Sequence, residues 1–255
     1  MAMNLSDEVA RSSDGDADLA RAFDYPYPRP EGSFLYVPRG EAEAWDKGGV
    51  GLEDRLPVLA IGSNAAPFQL DRKFSGQDES IPVLAATLRD HDVVYGARLS
   101  LYGAVPASLG RSPGTVVHIH VMFLTRAQLE IVDRSEGVAE EPPRYRSARV
   151  HPRFVDCGFP LDRPSQVYVA ARGNLSLDGS MVALEAFPAT GRTLPAMTQR
   201  EVLEGVAAMF EVDVETLVRS AVDDETFRAH VLKVLASQAV DTGELDDSPD
   251  QDPVS

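Results

Sequence analysis

The sequence predicts an α+β fold: a β-rich body that carries one inserted helix and is followed by a helical tail. Three observations point there. Short apolar runs bounded by Gly, Pro, Asp or Ser recur between residues 33 and 187, the spacing turns helical for one segment at 125–137, and helical spacing takes over from Thr198. With 255 residues, 44% of them hydrophobic, the chain can bury one sizeable core.

Taken in order, residues 1–20 are polar and rich in Asp and Ser, a composition that predicts disorder. Pro26, Pro28 and Pro30 then favour an extended lead-in, because proline removes the backbone donor a helix needs. Strands are predicted at 33–37, 57–61, 83–88, 92–101 and 116–124, with a Gly- and Pro-bearing loop over 102–115. In the helix that follows, Thr125 is placed to cap the N-terminus, Leu129 and Val132 share a face, and Gly137 suits a left-handed C-terminal cap. Strand character returns at 145–150, 166–172 and 178–187. Thr198 and Glu201 form a Thr-x-x-Glu capping box at the start of the tail, and two further helices are predicted at 213–221 and 223–239. Residues 241–255 are again predicted disordered. The resulting division is a disordered acidic N-terminus over 1–20, a β-rich domain over 21–196, a helical extension over 197–240 and an acidic tail over 241–255.

The formal net charge is −16, and the two ends supply most of it. Residues 1–20 hold five acids against Arg11, and residues 241–255 hold six acids and no base. An acidic chain without a basic stripe lacks the footprint for a phosphate backbone, so no nucleic-acid partner is expected, and an anionic membrane would repel it. Cys157 is the single cysteine, which leaves no disulfide framework and no thiolate cluster for zinc. No apolar run approaches the roughly 18 residues of a spanning helix, and the N-terminus is acidic where a signal peptide is basic. The expectation is a soluble, cytoplasmic protein.

Two short stretches could carry chemistry. The run PVLAIGSN, Pro57 to Asn64, ends an apolar strand at Gly62-Ser63-Asn64. Such a tripeptide can aim successive backbone N–H groups at one point and let a ligand approach closely, although it also suits an ordinary turn. The second stretch is Asp133-Arg134-Ser135-Glu136-Gly137. A carboxyl at the last turn of a helix faces the negative end of the macrodipole, which raises its affinity for a proton. A solvated glutamate beside a glycine cap has the same spelling.

Together, LAIGSNAAPFQLDRKF (59–74), VVHIHVMFLTRAQLEIVDRSEGV (116–138) and Tyr145-Arg146 resemble the gamma-glutamylcyclotransferase-like superfamily, over about residues 55–190. The resemblance implies a small mixed β-barrel with peripheral helices, to which residues 197–240 add a C-terminal helical extension. It implies a pocket in which Gly62, Ser63 and Asn64, with Ala65 beside them, bind the substrate, Glu136 is the catalytic acid and base, and Tyr145 lines the wall. The implied reaction converts a γ-glutamyl amide to 5-oxoproline and a free amine. The α-amine already sits one five-membered ring away from its own γ-carbonyl, so the protein must supply only proton transfers and oxyanion donors. No cofactor and no metal are implied. Ile61 departs from the pattern, standing where family members usually carry an aromatic. A non-catalytic binding module on the same fold, or a transferase or lyase acting on another amide, are the alternatives.

His118 and His120 share a strand face and could ligate a metal, but no further ligand at suitable spacing accompanies them. Arg98 and Arg144 offer forks that suit a substrate carboxylate or a surface ion pair. Ser63 lacks the context of a nucleophile. Cys157 reads as a small buried residue.

Overall fold

The computed structural model describes residues 16–39, 42–45, 50–243 and 245. In chain order its elements begin with a helix over 16–23 (α1), strands Phe34–Tyr36 (β1), Glu43–Ala44 (β2) and Leu56–Ala60 (β3), helix Pro67–Phe74 (α2), and strands Ile81–Tyr95 (β4) and Ala107–Leu124 (β5). Helix Arg126–Glu136 (α3) and strands Tyr145–Val150 (β6), Val155–Asp156 (β7) and Ser165–Ala170 (β8) follow. Five two-residue strands come next, Ser176–Leu177 (β9), Ser180–Met181 (β10), Ala183–Leu184 (β11), Ala189–Thr190 (β12) and Ala196–Met197 (β13). Helices Gln199–Ala208 (α4), Val214–Asp223 (α5) and Glu225–Ser237 (α6) complete the chain.

The α+β class is as expected, but the sheet is not a closed barrel. Eleven strands form one sheet whose main path runs β13-β11-β4-β5-β3-β8-β6, with its two ends unpaired. The path stops at β13 and β6, which do not pair with each other among the described residues, so the sheet stays open. Alternation along the strands divides the core between the two faces. Leu59, Leu84 and Val121 join one cluster, and Val58, Val83 and Met122 the other. The first cluster is covered by the C-terminal helices through Val202, Leu217 and Val231, so the predicted helical extension packs into the same core as the sheet. The second is covered by α2 and α3 through Leu70, Phe74 and Val132.

The centre of the sheet is one long antiparallel pair, β4 with β5, where the sequence suggested separate strands and a loop. Residues 89–91 are not a turn. Arg89 pairs with Val116 and His91 with Arg111, so Ser112–Thr115 bulge out opposite the single residue Asp90. The bulge is tied by a Ser112–Thr115 hydroxyl pair at 2.7 Å and by the Gly114 N–H donating to Asp90 Oδ1 at 2.9 Å, with Asp90 at φ 60° and Gly114 at φ 82°. Side-chain periodicity reads straight past such an insertion. The connection between the two strands therefore runs over 96–106, and the predicted 92–101 strand stops at Tyr95. The predicted 178–187 strand breaks as well, because Asp178 and Gly179 take φ 51° and 80° in a two-residue hairpin turn between β9 and β10.

Two segments predicted disordered are ordered where they are described. Residues 16–20 belong to α1, which buries Leu19 and Ala22 in the main cluster. At the other end Thr242 and Leu245 are buried, and the Leu245 carbonyl lies 3.2 Å from His91 Nε2. Composition averages over such isolated anchors. Residues 1–15 and 246–255 lie outside the described residues. No helix among the described residues is long and apolar enough to cross a membrane.

Candidate functional site

β3 ends at Ala60, and after Ile61 and Gly62 the chain makes one 3-10 turn, Ser63–Ala65, before Pro67 opens α2. The first N–H groups of such a turn have no partner within it and are free to face a ligand. Gly62 is required here by a close approach: a Cβ would lie 2.6 Å from the Tyr25 hydroxyl and 3.1 Å from Ala107 Cβ. Tyr25, from the end of the N-terminal segment, is held there by the Ala107 N–H, which donates to its hydroxyl at 2.8 Å.

Glu136 is the last residue of α3. That helix begins as predicted, with Thr125 and Gln128 in a reciprocal capping box, and ends as predicted at Gly137 with φ 67°. Asp133, one turn earlier, accepts from the Tyr168 hydroxyl at 2.7 Å and from Gln166 Nε2 at 3.0 Å, fastening the helix to β8. Burial and then this bond to Asp133 push the Tyr168 hydroxyl pKa up.

These pieces meet in one cavity of about 310 Å³. Gly62, Ser63, Asn64, Glu136 and Tyr145 all lie on its wall, with Ile61 beside them. Ala65 does not: it is fully buried in the apolar cluster beneath the turn, so its place among the predicted substrate-binding residues is corrected. Asn64 Nδ2 donates to Glu136 Oε1 at 3.1 Å, joining the two halves of the motif across 72 positions of sequence.

Lys73 was not foreseen. From the last turn of α2, its Nζ donates to Glu136 Oε1 at 2.8 Å and to Asn64 Oδ1 at 2.7 Å. Both partners of the ion pair are largely buried, at 11% and 13% exposure. The chain has three lysines, Lys47, Lys73 and Lys233, against 21 arginines, so a lysine placed one short helix after Gly-Ser-Asn was a usable signal. It reverses the expected electrostatics of the carboxyl. Burial works to raise the Glu136 pKa, but the Lys73 ammonium, the bonds from Lys73 and Asn64, and the more distant Arg144 outweigh it and hold the group below the usual carboxylate range. The helix end alone was the wrong guide. Both donors engage Oε1, which leaves Oε2 as the carboxylate's approachable oxygen.

Two tyrosines complete the wall around Glu136. Tyr145 and Tyr25 both have hydroxyl pKa values raised, chiefly by burial, and remain neutral donors. Arg98 lies over the Tyr145 ring at 5.3 Å, and Arg21 over Tyr102 at 4.3 Å. Arg144 is committed to Glu140 by two bonds of 2.7 Å. Leu101, Tyr102 and Pro106 bring the β4–β5 connection to the cavity edge, and α1 adds Asp18 and Arg21.

His118 and His120 line a different hollow, together with Cys157. His118 is exposed and His120 buried, with its pKa lowered chiefly by burial. Among the described residues no cluster of three or more His, Cys, Asp or Glu could hold a metal ion. Burial likewise pushes the Cys157 thiol pKa up.

Fold and site together define an α+β protein with one largely buried carboxylate bonded to the side chains of Asn64 and Lys73 on a cavity wall. Solved structures similar to this chain include gamma-glutamyl cyclotransferase, at 16% identity and TM-score 0.38 over 70% of this chain and 98% of that one. An uncharacterized protein from Homo sapiens gives 16% identity and TM-score 0.39 over 70% and 99% of the two chains. YkqA from Bacillus subtilis gives 18% identity and TM-score 0.36 over 68% of this chain and 55% of its own. No protein-family model matches the sequence, and no curated protein matches it.

Proposed function

We propose that this protein converts a γ-glutamyl amide to 5-oxoproline and a free amine in the cytoplasm, with Glu136 as the proton-transfer group. The observation that carries this reading is the hydrogen bond from Asn64 to Glu136 Oε1 inside the shared cavity, with Oε2 left open to a ligand. The Glu136 carboxylate takes a proton from the substrate's α-ammonium, and the freed amine attacks the γ-carbonyl carbon to close a five-membered ring. The oxyanion that forms accepts N–H bonds from the turn at Ser63 and Asn64. As the bond from the γ-carbon to the leaving nitrogen breaks, the surplus proton on the ring nitrogen passes to that nitrogen. The amine then collects the first proton from Glu136 and departs as an ammonium, returning the carboxylate.

Lys73 supports this role by keeping Glu136 ionised in the free protein and turning one oxygen outward. Replacing the carboxylate by an amide removes the proton acceptor with little change of shape, so a Glu136→Gln protein is expected to release 5-oxoproline at least ~100-fold more slowly than wild type. An undiminished rate rules out the mechanism. A second reading, a binding module without turnover, is favoured by the same ion pair, since a carboxylate held this firmly by Lys73 also makes a static structural contact. Saturable binding of γ-glutamyl compounds with no 5-oxoproline released selects that reading.

A further inference from the structure

The cavity wall is basic in an acidic protein. Arg21, Arg72, Lys73, Arg98 and Arg144 share it with only Asp18 and Glu136. Lys73 is taken by Glu136, and Arg144 by Glu140 just outside. Even with Glu140 counted, five cationic groups stand against three acidic ones, an excess of two positive charges in a chain of formal net charge −16. The remaining guanidiniums, Arg21, Arg72 and Arg98, have no ion pair among the described residues.

Two of the three are also posed to receive an anion. Arg21 and Arg98 lie over the rings of Tyr102 and Tyr145, and a ring beneath a guanidinium fixes its plane while leaving its N–H edge open. Arg21 Nε is buried and has no hydrogen-bond partner among the described residues. That nitrogen is shut off from solvent, so an anion in the cavity would meet this guanidinium at its terminal nitrogens. Arg72 stands exposed at the rim.

The γ-glutamyl head cannot discharge this wall, because its α-ammonium and α-carboxylate cancel. Resting on the cyclisation reading above, we infer that the amine half of the substrate carries two negative charges, either as a dicarboxylate or as a phosphate monoester, held by Arg21, Arg72 and Arg98. The leaving group would then be an acidic amino acid or a phosphorylated amine, and the arginines would set specificity without taking part in the bond changes.

The test is a ladder of leaving groups on the wild-type protein. Rates of 5-oxoproline release are compared for the γ-glutamyl amides of alaninamide, alanine, aspartate and phosphoethanolamine, which carry zero, one, two and about two negative charges. kcat/KM is expected to rise at least ~10-fold from alanine to whichever dianion is preferred, the worth of one further charged hydrogen bond. The aspartate and phosphoethanolamine arms tell the two anion sources apart. The matching glutaryl amides lack the α-amine and cannot cyclise, so calorimetry on them reads binding preference apart from reaction. If glutaryl-aspartate or glutaryl-phosphoethanolamine binds tightest yet no γ-glutamyl amide is turned over, the anion inference stands and the cyclisation reading fails. Equal binding across the glutaryl ladder, or tightest binding of the neutral amide, overturns the inference whatever the turnover. An Arg98→Gln protein is expected to narrow the aspartate-to-alaninamide ratio of kcat/KM by ~10-fold, and an unchanged ratio removes Arg98 from the anion site.

Discussion

Replacing Lys73 with Met should destabilise the protein in a pH-dependent way. The ammonium lies 2.8 Å from Glu136 Oε1, with the partners 11% and 13% exposed. At an effective permittivity of about 20 the bare attraction at that separation is on the order of 6 kcal/mol, and the cost of withdrawing both charges from water cancels much of it. Removing one partner is not the reverse of forming the pair, because a largely buried carboxylate is then left without its counter-charge, at a cost of about 3–5 kcal/mol. In wild type the folded Glu136 pKa lies below its unfolded value. Its stabilising contribution is therefore fully present above the unfolded carboxylate range and is lost as pH falls through the folded pKa. In the variant burial is opposed only by the Asn64 bond and the more distant Arg144, so the folded pKa rises and the stabilising contribution of the ionised group shrinks. The gap between the two proteins should thus be smallest below the folded wild-type pKa and widen as pH rises towards neutrality. Urea unfolding of both proteins at four or five pH values measures it. In a Glu136→Gln background the stranded charge is the Lys73 ammonium, so Lys73→Met should there cost little or become stabilising. A gap that is constant across pH, or that survives in the Gln background, refutes the account of Lys73 as the partner of an ionised Glu136.

Gly62→Ala pushes a methyl to within 2.6 Å of the Tyr25 hydroxyl and should cost about 1–3 kcal/mol by thermal or chemical unfolding. Adding Tyr25→Phe should make the pair less than additive, because the next atom of that ring is 3.7 Å away, and strict additivity would show that the glycine is needed for another reason. Asp92→Ala strands Arg192, whose Nε and Nη2 now meet the fully buried carboxylate at 2.7 and 2.8 Å. A loss of about 3–5 kcal/mol and a Tm lower by roughly 10 °C are expected from calorimetry, and a shift under about 2 °C would show that the pair is balanced by its desolvation.

Local features of the fold were the legible ones. The helix over Arg126–Glu136 announced both ends, because Thr125 and Gly137 act within one turn of themselves. The strand Tyr145–Val150 fell where alternation placed it. The long β4–β5 pair was read as fragments because its continuity depends on Asp90 in a left-handed conformation and on bonds from Ser112 and Gly114, and none of these leaves a periodic trace. Leu19 and Leu245 escaped for a related reason: each is a single apolar anchor inside an acidic run, and disorder is inferred from averages.

The site divides along the same line, and the division bears on what the motif means. Gly62, Ser63, Asn64 and Glu136 were visible as spelling, yet the property that decides their chemistry, the ionisation of Glu136, is set by Lys73 from 63 positions away. Reading the helix end alone gave a proton-loving acid; adding one ammonium gives a carboxylate that is ionised before substrate arrives. The second state is the more useful one for the proposed reaction, whose first step requires a base. The incoming α-ammonium also brings a positive charge to the oxygen that Lys73 leaves open, so the substrate need not displace the lysine to reach the carboxylate. Lys73 also makes the carboxylate a weaker base, so in the proposed reaction a proton received by Glu136 is held weakly and is readily given up to the leaving amine.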